Sequence, residues 1–403
     1  MASPATTPGD VASARKQVET SNFFALCYLM LSNLAYTTGN SGQEAVQQIT
    51  RLLPTMPVPQ GTVQGRWNLA WGPQVSHDNS NLMYAAEFLD SVSGMVVFSS
   101  VVIRGTDTQA KPSGVLKQII EDLDATVQVE FPTQNQAGSK IARGSHVGLD
   151  VLNKFTDSSN RTIEQYLKSF VERNPGAPIV VTGHSLGGCL TTVLALDLSA
   201  KLPAETKIVP NTFAAPTAGN HGFIQLYEQR LPFSPRWFNT FDLVPMAFAG
   251  LSDIKRLWKD CNRPAPGPFK IIIDGFGLLL GALHVSYNQE SIGHSNALAG
   301  VCQPPSLQHK PSPLEEAAIA EIQALLEKAL HKLHDDVKKL PVLGGILAEL
   351  PFFKVDKAAF DDLAGWVQEL LFQHSVLTGY WNAVASTPGV AQIRNPFIQA
   401  ATA

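Results

Sequence analysis

The sequence predicts an α/β fold, with a mostly parallel central sheet flanked by helices. Three observations carry this. Strand-like and helix-like segments alternate from about residue 64 to 245, as expected for strands joined by helical crossovers. The 403 residues are 44% hydrophobic and only 16% charged, where an ordinary soluble domain carries about 25% charge, so a large core or an apolar surface is expected. A glycine-flanked serine, Ser185, stands between an apolar strand and a helical run.

The elements follow in order. Residues 1–20, rich in Ala, Ser, Thr and Pro, are expected to be a mobile lead. The apolar run 23–31 predicts a buried first helix. Glu19 just before it, and the lack of a small-x-small site after it, argue against a signal peptide. No apolar stretch reaches ~18 residues, so no transmembrane segment is expected. Residues 95–103 are apolar and rich in β-branched side chains, and predict a strand that breaks at Arg104-Gly105-Thr106. Ile163, Tyr166, Leu167 and Phe170 share one side of a helix predicted over 162–172. Residues 178–182 read as a buried strand, followed by Gly183-His184-Ser185-Leu186-Gly187 and a helix to about 199. Residues 207–214 and 236–241 are further strands.

Beyond 250 the texture changes. Residues 271–283 are apolar and glycine-laced, too short to span a bilayer and poor as a regular strand. A Pro-rich stretch then leads to Ser312-Pro313-Leu314-Glu315, which opens a helix to about Leu340 with a cap, a first-turn proline and an acid three residues on. Ile322, Leu325, Leu326, Ala329, Leu330, Leu333, Val337 and Leu340 form its apolar stripe.

Charge and cysteines bound the function. Lys and Arg total 30 against 34 Asp and Glu, a net charge of −4, which argues against a nucleic-acid partner gripped by a basic surface. No Cys/His spacing resembles a zinc site, and no metal or cofactor is expected. Cys27 and Cys189 read as buried small residues. Cys261 and Cys302, both in Pro-rich loops, are either a disulfide or two free thiols, which leaves the compartment open between cytoplasmic and secreted.

Gly183-His184-Ser185-Leu186-Gly187 matches G-x-S-x-G. The pattern suits a nucleophile because the serine must stand free on a sharp strand-to-helix turn, and the glycines let strand and helix approach. A serine hydroxyl needs a base, and the base an orienting acid, in the chain order Ser, Asp, His. Asp242 follows apolar strand sequence directly and is the candidate acid.

Taken together, these motifs resemble the class 3 (fungal and plant type) lipase family of α/β-hydrolases. Val102-Ile103-Arg104-Gly105-Thr106 is similar to its oxyanion strand. Ile119 to Leu123 stands where the family has Trp then Asp, without the Trp. Ser145 to Leu149 resembles its His-x-Gly-Phe element, Ala215 to Phe223 its Pro-x-x-Gly-Asn element, and Asn239 to Pro245 its Asn-x-x-Asp-x-Val-Pro element. The resemblance implies an α/β-hydrolase with a catalytic His near the C-terminus, ahead of an aromatic residue. His374, followed by Tyr380-Trp381, fits best; His294 is the alternative, and His284, set in apolar sequence, is expected to be structural. The chain then divides into a lead (1–20), a hydrolase core (21–250), a cap or lid insertion (251–355) and a core completion carrying the His (356–403). The resemblance further implies a Ser185–His374–Asp242 triad, an oxyanion hole from Thr106 and the N–H of Leu186, and hydrolysis of lipid esters at a lipid–water interface. Triacylglycerol is favoured over short-chain ester or phospholipid. An acyltransferase with the same triad and a catalytically dead lipid-binding protein are the other classes.

Overall fold

The computed structural model describes residues 8–36, 42–60, 63–104, 125–133, 138–289, 295–304, 313–338 and 363–397. In chain order the elements are helices α1 (Pro8–Thr20), α2 (Ala25–Leu34) and α3 (Gly42–Leu52), then strands β1 (Gly65–Val75), β2 (Leu82–Asp90), β3 (Val96–Arg104), β4 (Gln128–Glu130) and β5 (Lys140–Ala142). Helices α4 (Arg143–Lys154) and α5 (Ile163–Arg173), β6 (Ile179–His184), α6 (Leu186–Lys201), β7 (Ile208–Phe213), α7 (His221–Arg230) and β8 (Arg236–Asn239) complete the alternating region. Helices α8 (Leu251–Ile254) and α9 (Gly267–Ala282), β9 (Ser295–Leu298), α10 (Pro313–Lys338), α11 (Leu363–His374) and α12 (Trp381–Ala385) follow.

Among the described residues the main sheet has seven strands in the order β1-β2-β3-β6-β7-β8-β9. From β3 to β9 every pairing is parallel, while β1 and β2 form an antiparallel edge. The middle strands are buried on both faces because helices cover both. Alternate side chains therefore feed two cores. Val180 packs with Phe24, Leu26 and Phe98 on the α2 side. Its neighbours Ile179 and Val181 pack with Leu167, Val193 and Leu194 on the α5–α6 side. Helix α6, nearly all apolar, is buried throughout Gly187–Leu198, as a helix pressed into the centre of a domain must be.

One expectation is corrected. Residues 8–20, read as mobile lead, form α1, with Val11, Ala14 and Val18 at helical spacing in the first core. The glycine-laced run, read as poor for a regular strand, lies in the helix α9. Its glycines disfavour helix, yet Phe269, Ile272 and Ile273 gain burial against Ile322, Leu326 and Leu330 of α10 and Trp366 and Leu370 of α11. This third core also takes in Leu243 and Val244, which directly follow Asp242. A Cys261–Cys302 disulfide (Cα–Cα 5.5 Å) ties the α8–α9 connection to the segment after β9, whereas Cys27 and Cys189 are buried thiols that form no disulfide. No described helix is long and apolar enough to cross a membrane.

Candidate active site

The parallel strands deliver their loops to one edge of the sheet, and there the site is assembled from three loops. Strand β6 ends at His184 and α6 begins at Leu186, so Ser185 alone makes the turn. Its backbone sits at φ 59°, ψ −130°, a region that L side chains rarely adopt. The turn is held from both sides. The Ser185 N–H donates to the Phe213 carbonyl of β7 at 2.9 Å, and the Ser185 carbonyl accepts from the Gly188 N–H at 2.9 Å. Gly183 is required by close approach, since a Cβ there would lie 2.4 Å from the Gly187 carbonyl oxygen and 2.8 Å from that of Ile103. We therefore expect Gly183→Ala to cost about 3 kcal/mol in urea unfolding. A loss below ~1 kcal/mol would mean that the elbow tolerates a side chain.

Asp242 lies three residues beyond β8 in a turn closed by its own N–H onto the Asn239 carbonyl at 2.9 Å. His374 is the last residue of α11. The structure brings these two and Ser185 together. His374 Nδ1 is 2.8 Å from Asp242 Oδ2, and His374 Nε2 is 2.9 Å from Ser185 Oγ. Because a carboxylate only accepts, Nδ1 carries the proton and Nε2 is free to accept from the serine hydroxyl. All three side chains are buried: Ser185 is 4% exposed, Asp242 0% and His374 3%.

Asp242 is satisfied on every side. Its Oδ1 accepts from the Val244 N–H at 3.0 Å, and its Oδ2 also accepts from the Tyr380 hydroxyl at 2.8 Å. Burial, then the adjacent Asp242 charge, pushes the Tyr380 hydroxyl well above the ordinary tyrosine value, which keeps it a donor. Sequence reasoning noted Tyr380 only as part of an aromatic motif. The signal for its role was chemical, since a buried carboxylate requires more donors than one histidine supplies. Gln373 was missed, and Asn239 was noted only as the first residue of the Asn-x-x-Asp-x-Val-Pro element. Asn239 Nδ2 donates to Gln373 Oε1 at 2.6 Å, and Gln373 Nε2 donates to Glu369 Oε1 at 2.7 Å and to the Val301 carbonyl at 2.6 Å. The Asp242 loop and the His374 helix are thereby bonded to each other through side chains to which the sequence assigned no role.

The remaining predicted residues fall as follows. Leu186 is the first residue of α6, so its N–H has no acceptor within the helix. Thr106 and His294 lie outside the described residues. His284 is exposed, in the turn after α9. Arg104 is buried, and its Nη2 reaches Oδ1 of Asn79 at 3.1 Å, bracing the β1–β2 turn. Beside Ser185, Leu186 packs against an apolar cluster of Phe248, Leu280 and Tyr287, joined by Phe276 and Val285.

Sheet order, elbow and hydrogen-bonded Ser–His–Asp chain define the class: an α/β-hydrolase fold with a serine at its elbow bonded to a histidine–aspartate pair. Within it, residues 100–251 match the family described as Lipase (class 3). "Lipase ZK262.3" of Caenorhabditis elegans is 32% identical over 101 residues, covering 24% of this chain and 29% of that protein. The chain thus spans less than a third of the length of that curated relative. The solved structure of M37 lipase is 21% identical, covers 84% of this chain and 97% of its own, and superposes with a TM-score of 0.54, a likeness of fold. A triacylglycerol lipase from Penicillium expansum is 17% identical over 60% of this chain and 74% of its own, at a TM-score of 0.37.

Proposed function

We propose that this protein is a serine carboxylester hydrolase acting on lipid esters, triacylglycerol foremost. The observation that carries the reading is the continuous Ser185–His374–Asp242 hydrogen-bond chain. His374 Nε2 takes the proton from Ser185 as Oγ attacks the ester carbonyl. Asp242 fixes the tautomer and stabilises the imidazolium. The Leu186 N–H, at the positive end of α6, receives the oxyanion together with Thr106. His374 then gives the proton to the departing alcohol, and water cleaves the acyl-serine by the same steps in reverse.

The acyl chain is assigned to the apolar cluster over Leu186. Helix α9 takes part in two cores. Its first half is anchored among α10 and α11, while Phe276 and Leu280 in its second half face Leu186, Phe248 and Tyr287. In this reading residues 251–355 are a cap whose α9 end handles substrate, and Leu278 and Leu283, both exposed, present apolar surface to an interface. The Cys261–Cys302 disulfide supports residence in an oxidising, extracytoplasmic compartment.

A panel of p-nitrophenyl esters from C2 to C18 tests the reading. Turnover rising towards long chains is expected; no turnover on any ester would sink it. The Phe276→Ala/Leu280→Ala variant is expected to lose about ten-fold or more in kcat/KM on the C16 ester and to stay near wild type on the C2 ester. Equal loss on both would make the α9 contacts structural only.

A further inference from the structure

The residue just before the nucleophile is buried, titratable and unused by the chemistry above. His184 ends β6 and is 5% exposed. Its Nε2 lies 2.9 Å from the backbone carbonyl oxygen of His374. A carbonyl only accepts, so His184 must be in the Nε2–H form. On the other side of the ring, the Tyr36 hydroxyl donates to the His184 carbonyl at 3.0 Å and lies 3.4 Å from Nδ1. The ring packs at 4.7 Å from that of His374 and edge-on at 5.7 Å to Tyr380.

The acceptor is informative. His374 closes α11, and the last carbonyls of a helix have no partner within it. Two of these carbonyls are taken by side chains adjacent to the other triad members. The Gln373 carbonyl accepts from Asn239 Nδ2 at 3.2 Å, three residues before the acid, and the His374 carbonyl accepts from His184, one residue before the nucleophile. The base is thus referenced through its main chain to both loops it must serve.

We propose that His184 is a positioning residue that fixes His374 against Ser185 by donating Nε2–H to the main chain of the base. The role rests on the ester-hydrolase reading. It explains why a donor, and a neutral one, occupies this place. An imidazolium here would face the imidazolium that His374 becomes during turnover. Burial, and then the neighbouring His374, hold His184 well below the ordinary histidine range, so it stays uncharged through the cycle. A Lys or Arg donor would carry the charge that this position excludes.

The test compares His184→Met with His184→Gln, which are close in size and differ in the amide donor. With p-nitrophenyl butyrate, His184→Met is expected to lose about a hundred-fold in kcat with KM within two-fold, as for a displacement of the base by about 1 Å. His184→Gln is expected to recover at least ten-fold of that loss. The low-field NMR resonance of the proton between His374 Nδ1 and Asp242 should shift in His184→Met and return in His184→Gln. A merely structural histidine would lower the melting temperature of both variants alike without separating their kcat, and that result overturns the role. In wild type, 15N NMR should find His184 neutral with its proton on Nε2. The Nδ1–H tautomer would overturn the role without any variant. A serine-reactive phosphonate separates the two claims: wild type labelled, with both variants labelled equally fast, overturns the positioning role alone, whereas unlabelled wild type overturns the hydrolase reading and the role with it.

Discussion

Ser185→Ala is expected to lower kcat on a p-nitrophenyl ester by about 10⁶-fold and to abolish labelling by a phosphonate. The size follows from the arrangement. With Oγ gone, His374 has no nucleophile to activate, and only oxyanion donors and binding remain, which sustain ~10³–10⁴-fold over water elsewhere. The fold should survive. The bonds that hold the turn, from the Ser185 N–H to Phe213 and from Gly188 to the Ser185 carbonyl, are all main-chain. Alanine inherits the φ of 59°, so its strain is unchanged. Ser185→Gly should be as inactive as Ser185→Ala, yet at least as stable as wild type, because glycine adopts that φ without strain. A Ser185→Ala protein retaining more than about 1% of wild-type kcat would remove Ser185 as the nucleophile.

The parts of this site that were legible in the sequence are those where local pattern and chemistry coincide. The elbow is written as strand, glycine, serine, glycine, helix, and Gly183 is needed within 2.4 Å of backbone. Asp242 follows within three residues of its strand, and His374 stands near the C-terminus ahead of Tyr380-Trp381, as the resemblance implies. The partners that orient them were not legible. Tyr380, Gln373 and His184 act through contacts far apart in sequence, and nothing in their local spacing marks them. The fold divided similarly. The strands 96–104 and 179–184 are buried throughout and rich in β-branched apolar residues, but β1 is broken by register shifts between Leu69 and Gln74, which blur its alternation. Strand β9 is only Ser295–Leu298, paired where β8 offers an edge. Helix α9 was not legible because Gly275, Gly277 and Gly281 lower local helix propensity, and tertiary burial outweighs it.

The second large effect is expected at the acid. Asp242→Asn should lower kcat by about 10⁴-fold with little loss of stability. The surroundings dictate which way the new amide points. Val244 presents an N–H to Oδ1, so the amide oxygen must stay there; the reverse orientation would set two donors against each other. The amide nitrogen then faces His374 Nδ1. A donor in that place reverses the imidazole, leaving the proton on Nε2, where it points at Ser185 Oγ and leaves no lone pair to accept the hydroxyl proton. Tyr380→Phe separates this tautomer effect from loss of a neighbouring hydrogen bond. It removes one donor from Oδ2 but leaves the carboxylate, its charge and the His374 contact, so a loss of only about ten-fold is expected. A ranking of Asp242→Asn far below Tyr380→Phe is what the geometry requires. If Asp242→Asn instead fell within ten-fold of wild type, His374 would not depend on Asp242 for its tautomer, and the acid would have to be sought elsewhere in the chain.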